Sequence, residues 1–290
     1  MSEWGVPDLG RISEHHFVRV RDGRRLRTIT SGRPGDTLVV LEAGLGMSGL
    51  YWATVQSLLP ADVLAVAYER SGYGGSDVTD GARDLSSLAS DLEEVIDTYP
   101  HRRLILVGHS WGGPIVRTVA ARRVEAGHTV GGLVLVDQSD ENADFLMTPG
   151  SRETMSRQAV AIVPLARIGL LKLLSAPAVR GLPNKVRRAT ATASYSVKGA
   201  RTAAAEMVHV VDGLTELRRR PPVLGTVPVR VISGHRPSVL GRSRRADLTR
   251  AHQLTADSLS MGCFILASRS NHMVPMSEPG LIAEQVRMLV

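Results

Sequence analysis

Ser110 sits between Gly108 and Gly112 in the stretch LILVGHSWGGPIVRT, residues 104–118, the one G-x-S-x-G match in the chain. An aliphatic run precedes it and a helical pattern follows, the strand–turn–helix setting that such a serine needs to act as a nucleophile. The reason is steric: a side chain held on a sharp turn requires small neighbours where strand and helix backbones pass each other. At the start of a helix the serine also meets free N–H groups and a dipole that favour developing negative charge. The competing reading is a serine that only caps the helix. Capping does not call for glycine on both sides.

A serine hydroxyl is a weak nucleophile without a base. Of nine histidines, His15 and His16 fall in a first strand, His101 and His128 in loops, His209 in a helix, and His252 in a surface-like helix. His109 adjoins Ser110, but its side chain is expected to leave the strand in another direction. His272 follows the last strand, in LASRSNHMVPMSEPG, on a loop at the same sheet edge as Ser110. It is therefore the candidate base, the alternative being an ordinary loop histidine. An oxyanion formed at Ser110 needs two N–H donors. Trp111, next after the serine, supplies the first, and Leu45, in EAGLG after the strand TLVVLEAG, is expected to supply the second.

The elements that must position these groups alternate along the chain. HHFVRV and RRLRTITSG read as a hairpin turning at Asp22-Gly23; TLVVLEAG, DVLAVAYER, RLILVGHS and VGGLVLVDQ read as buried strands. Between them lie the helical patterns YWATVQSLLP, DLSSLASDLEEVIDTYP and GGPIVRTVAARRVEAG. Strands alternating with helices imply a mainly parallel sheet covered on both faces, with reactive groups at the carboxyl ends of the strands. From about 143 to 222 the pattern is helical only, including LARIGLLKLLSAP and ARTAAAEMVHVVDGLTELRRR. Alternation then resumes with VPVRVISG, RRADLTRAHQLTADSL, CFILAS and EPGLIAEQVRMLV. The expected organisation is a core in two halves, residues 1–142 and 223–290, around a helical lid at 143–222.

VVLEAGLG, AYERSGYGGSD, LVGHSWGGP, GLVLVD and NHMVPMSEPG, in this order, resemble the α/β-hydrolase fold superfamily across about residues 15–140 and 222–290. The resemblance implies an α/β fold with an eight-stranded sheet, a nucleophile on its turn, and a lid inserted after the sixth strand. It also implies where the acid that orients His272 should lie. Most members place it after the strand that follows the lid, yet VRVISGHRPSVLG has no Asp or Glu before Asp247, which looks helical and distant. Some members place it directly after the strand preceding the lid, where this chain has Asp137; Asp140 and Asp247 remain the alternatives. Two positions depart from the family pattern. Ala43 stands where many members have histidine, so the oxyanion loop must be held some other way. Glu69 replaces the usual aspartate of the Y-D-R motif and is expected to pair with a nearby base or backbone.

The reading is a serine hydrolase of a carboxylic ester or lactone of a hydrophobic small molecule, working through an acyl-enzyme. One alternative is a thioesterase or acyltransferase on an acyl carrier; another is a non-catalytic receptor of the same fold. Serine in place of aspartate argues against epoxide-hydrolase and dehalogenase chemistry. No organic cofactor or metal is implied. The single cysteine, Cys263, excludes an internal disulfide and a multi-cysteine metal site, and with the absence of an N-terminal leader pattern suggests the cytoplasm. No run of about 18 apolar residues suits a membrane span. The net charge of +7 is uneven: residues 151–220 carry 13 basic residues against 4 acidic ones, and residues 1–150 are net acidic. That excess could attract an anionic partner or reflect plain arginine usage. Aromatic residues at 4% and no recognition motif leave nucleic-acid binding without support. In the lid, Leu165, Ile168, Leu171 and Leu174 recur at threes, which predicts an apolar wall facing the sheet.

Overall fold

The computed structural model describes residues 12–237 and 241–290. Residues 1–11, most of the stretch read above for a leader, lie outside these. Strands β1 (Ile12–Arg19) and β2 (Arg25–Ser31) form the expected hairpin, with Gly23 at φ 88° in its turn. The chain continues through β3 (Thr37–Glu42), a 3-10 turn at Gly49–Trp52, α1 (Ala53–Ser57) and β4 (Leu64–Tyr68). Next come α2 (Leu85–Asp97), β5 (Arg103–His109), α3 (Gly112–Glu125) and β6 (Gly132–Val136).

Five helices intervene before the next strand: α4 (Pro149–Arg167), α5 (Leu170–Leu174), α6 (Asn184–Ser194), α7 (Val197–Met207) and α8 (Val210–Arg219). The final segment is β7 (Val229–Gly234), α9 (Gly241–Asp257), β8 (Gly262–Ala267), α10 (Val274–Ser277) and α11 (Pro279–Arg287).

All eight strands form one sheet in the order β1-β2-β4-β3-β5-β6-β7-β8. The pairs β1–β2 and β2–β4 are antiparallel and the other five are parallel. The aliphatic strands are buried on both faces because successive side chains point to opposite sides. Leu104 and Leu106 of β5 join Leu88, Leu92 and Ile115 on one face; Ile105 and Val107 join Trp52, Ile282 and Val286 on the other. Helix α2 is set by local rules as well: the Asp84 carboxylate caps it, accepting the Ser87 N–H at 2.8 Å, and Leu85, Leu88, Leu92 and Ile96 face the core.

The inserted helices differ from expectation in two places. The stretch ARTAAAEMVHVVDGLTELRRR is two helices, α7 and α8, broken at Val208–His209. The predicted apolar wall is not formed by its four members: Leu171 is buried, but Ile168 and Leu174 are 73% and 61% exposed. The break at Gly169, which takes φ 75°, ends α4 and rotates the next turn, so a spacing of threes counted across it has no common face. Helix α4 packs on α7, and α8 packs on the core at Gly213, where a Cβ would lie 2.7 Å from the Trp111 ring. Among the described residues no helix is long and apolar enough to cross a membrane.

Candidate active site

The carboxyl ends of β3, β5, β6 and β8 bring together Gly44–Gly46, Ser110, Asp137 and His272. Ser110 takes φ 53°, a conformation that costs a non-glycine residue about 1–3 kcal/mol. Its backbone is tied down: the Ser110 N–H donates to Val136 O at 3.1 Å, and its carbonyl accepts from Gly113 and Ser139 at 3.0 and 2.9 Å. The flanking glycines are required by backbone contact. A Cβ on Gly112 would lie 2.6 Å from Glu42 O, and one on Gly108 would lie 2.4 Å from Gly112 O.

His272 Nε2 lies 3.1 Å from Ser110 Oγ, and its Nδ1 lies 2.7 Å from Asp137 Oδ2. Because a carboxylate only accepts, Nδ1 carries the proton and Nε2 is left as an acceptor facing the serine. Asp137 is fully buried and also has a left-handed backbone, φ 41°. Gly234 N–H donates to its Oδ1 at 2.7 Å, and Arg245 Nη1 donates to Oδ2 at 2.9 Å. Burial alone would raise this carboxyl, but His272, His252 and Arg245 outweigh it and hold it well below the usual carboxylate range.

Asp247 and Asp140, the other two acids considered, have other partners. Asp247 accepts from Phe145 N–H and Arg250, and Asp140 from Gln138, Asn142 and Thr255. His252 is not on a surface. It is completely buried beneath Asp137, accepting from Ser233 Oγ and donating to Gln138 O, each at 2.9 Å.

His109 bonds to partners other than Ser110. Its ring lies 4.8 Å from that of His272, and its Nε2–H donates to His272 O at 2.9 Å. Its Nδ1 must then accept, from the Tyr51 hydroxyl at 3.1 Å, and Tyr51 in turn accepts the Gly44 N–H at 3.1 Å. Burial first, and then the neighbouring His272, lower the His109 pKa to about 3, so it stays neutral and keeps this direction of donation.

The loop at Ala43 is held by Arg70. Its Nη1 donates to Ala43 O at 2.7 Å and its Nη2 to Gly44 O at 3.0 Å. The same guanidinium pairs with Glu42 at 2.5 Å and with Glu206 of α7 at 2.8 Å. Arg83 also pairs with Glu206, and all four charged groups are buried. Burial pushes the Glu206 carboxyl up, yet Arg70 and Arg83 hold it below its ordinary value. Tyr73 hydroxyl accepts the Gly46 N–H at 3.2 Å. Leu45 N–H, between two N–H groups that donate to tyrosines, has no protein acceptor among the described residues, nor has Trp111 N–H.

Glu69 pairs with Arg27 at 2.7 Å and accepts the Gly75 N–H at 2.7 Å. Sequence reasoning missed Tyr51, Arg70, Arg245 and Glu206. Arg70 stood in the quoted motif AYERSGYGGSD, whereas nothing local marked Glu206.

Over Ser110 and His272 lies a cavity of about 260 Å³, walled by Leu45, Met47, Ile162, Leu171, Tyr195 and Met207 among others. No Asp, Glu, Lys or Arg lines it among the described residues.

Residues 38–285 match the model of the alpha/beta hydrolase family. The protein designated carbamate hydrolase RutD in Rhizobium rhizogenes is 36% identical over 107 residues, 36% of this chain and 39% of that protein. Mouse epoxide hydrolase 4 is 29% identical over 117 residues, 39% of this chain and 32% of that protein. These matches thus span less than half the length of either relative. A solved hydrolase from Pseudomonas aeruginosa superposes with a TM-score of 0.73 at 20% identity, covering 96% of this chain and 98% of that one. With the family model matched along most of its length and the eight-stranded sheet in place, the chain belongs to the alpha/beta hydrolase family.

Proposed function

We propose that the protein is a serine hydrolase that cleaves a small, neutral, apolar carboxylic ester or lactone through an acyl-enzyme. The observation that carries this reading is the chain Ser110–His272–Asp137 at the floor of an uncharged cavity. Ser110 Oγ attacks the carbonyl carbon as its proton passes to His272 Nε2. The oxyanion then accepts from the Leu45 and Trp111 N–H groups. His272 returns the proton to the leaving alkoxide, and the ester bond breaks. Water, deprotonated by His272, attacks the acyl carbon, releasing the acid and restoring Ser110. Asp137 holds the imidazole in the required tautomer and balances its charge.

A serine nucleophile does not suit the epoxide hydrolysis for which one relative is named. Serine attack on an epoxide gives an ether, which lacks the carbonyl that water attacks in the second step. A cavity of about 150 Å³ holds one benzene, so about 260 Å³ suits an acyl part of roughly ten heavy atoms. The inserted helices, which supply Ile162, Leu171 and Met207 to the cavity wall, act as the lid. The single cysteine supports a cytoplasmic working place.

A fluorophosphonate probe tests the reading: labelling of the native protein, lost in Ser110→Ala, together with turnover of short p-nitrophenyl esters, is expected. Neither labelling nor turnover by the native protein would overturn it.

A further inference from the structure

The segment from Leu170 to Arg180 has two faces with different occupants. Leu171, Ser175 and Ala178 face the cavity above Ser110. Lys172, Ala176 and Arg180 border, over the buried Val179, a groove of about 340 Å³ completed by Arg187 and Arg188 of α6. No Asp or Glu lines this groove, and among the described residues none of its four cations has a carboxylate partner. The contrast with the core is sharp, since Arg27, Arg70, Arg117 and Arg245 are each paired with an acid. On the same stretch of chain, Ile168, Leu173 and Leu174 are 73%, 70% and 61% exposed.

Cations without acids attract phosphate groups, and aliphatic side chains standing clear of the surface gain by leaving water. Both occur together on one short stretch, the composition with which a helix lies on a bilayer surface. An acidic protein would satisfy the cations and leave the three aliphatic side chains without a designated partner. We propose that this outer face of the inserted helices docks on a bilayer carrying anionic phospholipid, with Lys172, Arg180, Arg187 and Arg188 at the headgroups and Ile168, Leu173 and Leu174 at the acyl boundary. Because the same turns wall the cavity, docking acts on the passage to Ser110, and an apolar ester dissolved in the bilayer reaches the site without crossing water. The docking stands independently of the reaction; its effect on rate rests on the hydrolase reading above.

The test is co-sedimentation of the full chain with vesicles of phosphatidylcholine alone or mixed with phosphatidylglycerol, at low and high salt. Native protein is expected on the mixed vesicles at low salt, with weak binding to neutral ones. Arg180→Glu with Arg188→Glu, and separately Leu173→Ser with Leu174→Ser, should each lower partitioning roughly tenfold or more. Both double variants should keep native turnover of a soluble short ester, which shows that they fold. No vesicle binding at low salt, equal binding to neutral vesicles, or native partitioning by both variants would overturn the proposal. Protection by inorganic phosphate without vesicle binding would assign the groove to a free anion and overturn it too. Vesicle binding without ester turnover would sink the hydrolase reading alone.

Discussion

Ser110 and Asp137 share a backbone conformation that the other described non-glycine residues avoid, with φ of 53° and 41°. Each directly follows a parallel strand in an abrupt turn, and His272 hydrogen-bonds to both. Two unfavourable backbone geometries on neighbouring strands hold the two side chains upright at one sheet edge. The surrounding bonds, Ser110 N–H to Val136 O and Asp137 N–H to Ile232 O, tie each turn to the adjacent strand.

Asp137→Asn should reverse the tautomer of His272 and lower kcat by about 10⁴, with the fold retained. Asp247→Asn, at a residue that serves Phe145 and Arg250, should leave kcat within a few-fold of native. Steady-state kinetics on a soluble ester checks both. The reverse pattern would transfer the role to Asp247.

Glu206→Gln should separate binding from catalysis. It leaves Arg70 and Arg83 buried with less compensating charge, and breaking such a pair costs about 3–5 kcal/mol. Arg70 also holds Ala43 and Gly44, so the Leu45 N–H should lose its aim. We expect kcat to fall roughly tenfold to a hundredfold with KM little changed, the pattern of a lost transition-state contact. Native kcat in a destabilised variant would confine Glu206 to stability.

Arg245→Met removes a cation that shares Asp137 Oδ2 with His272. The other charged or titratable neighbours of Asp137, His252 and His272 itself, remain. Asp137 then loses one of the donors that fix its carboxylate, so the imidazole it orients is held less firmly. We expect kcat on a soluble ester to fall several-fold with KM little changed, and Arg245→Lys to restore it in part. Native kcat in Arg245→Met would leave Arg245 no part in positioning the imidazole.

His109 links stability to pH. Its pKa is about 3 when folded against about 6.5 when unfolded, so the unfolded chain binds the extra proton between these values. Its contribution is complete above about pH 6.5 and is lost as pH falls toward 3, at about 1.4 kcal/mol per pH unit. Urea unfolding at pH 7.5 and 5 should differ by about 2 kcal/mol from this source. His109→Gln should abolish that difference, because glutamine does not titrate; a variant with the native slope would contradict it.

Much of this molecule is written in short stretches of its sequence. Continuous aliphatic runs such as LILV and GLVLV can only be buried, and their spacing by helical patterns dictates a parallel sheet. Gly108 and Gly112 mark the turn at Ser110 because backbone contacts leave no room for a Cβ, a requirement visible as composition. His272 was legible from its place after the last strand. Such features follow from local sterics and from the period of the chain.

Other features depend on which distant side chains meet. Whether Asp137 or Asp247 faces His272 is decided by the register of β6 against β7 and the path of α9. The grip of Arg70 on the Ala43 loop needs Glu206, 136 positions away on an inserted helix. The Tyr51–His109 bridge likewise joins two loops, those of Gly44 and His272, through partners that no local pattern marks. The inserted helices carried a misleading spacing, since one left-handed glycine at 169 breaks the helix between the exposed Ile168 and the buried Leu171. Sequence encodes which residues prefer burial and which turns they can make. Convergence of charges and hydrogen bonds is a property of the packed chain, because each of those groups is satisfied only by a partner that folding brings to it.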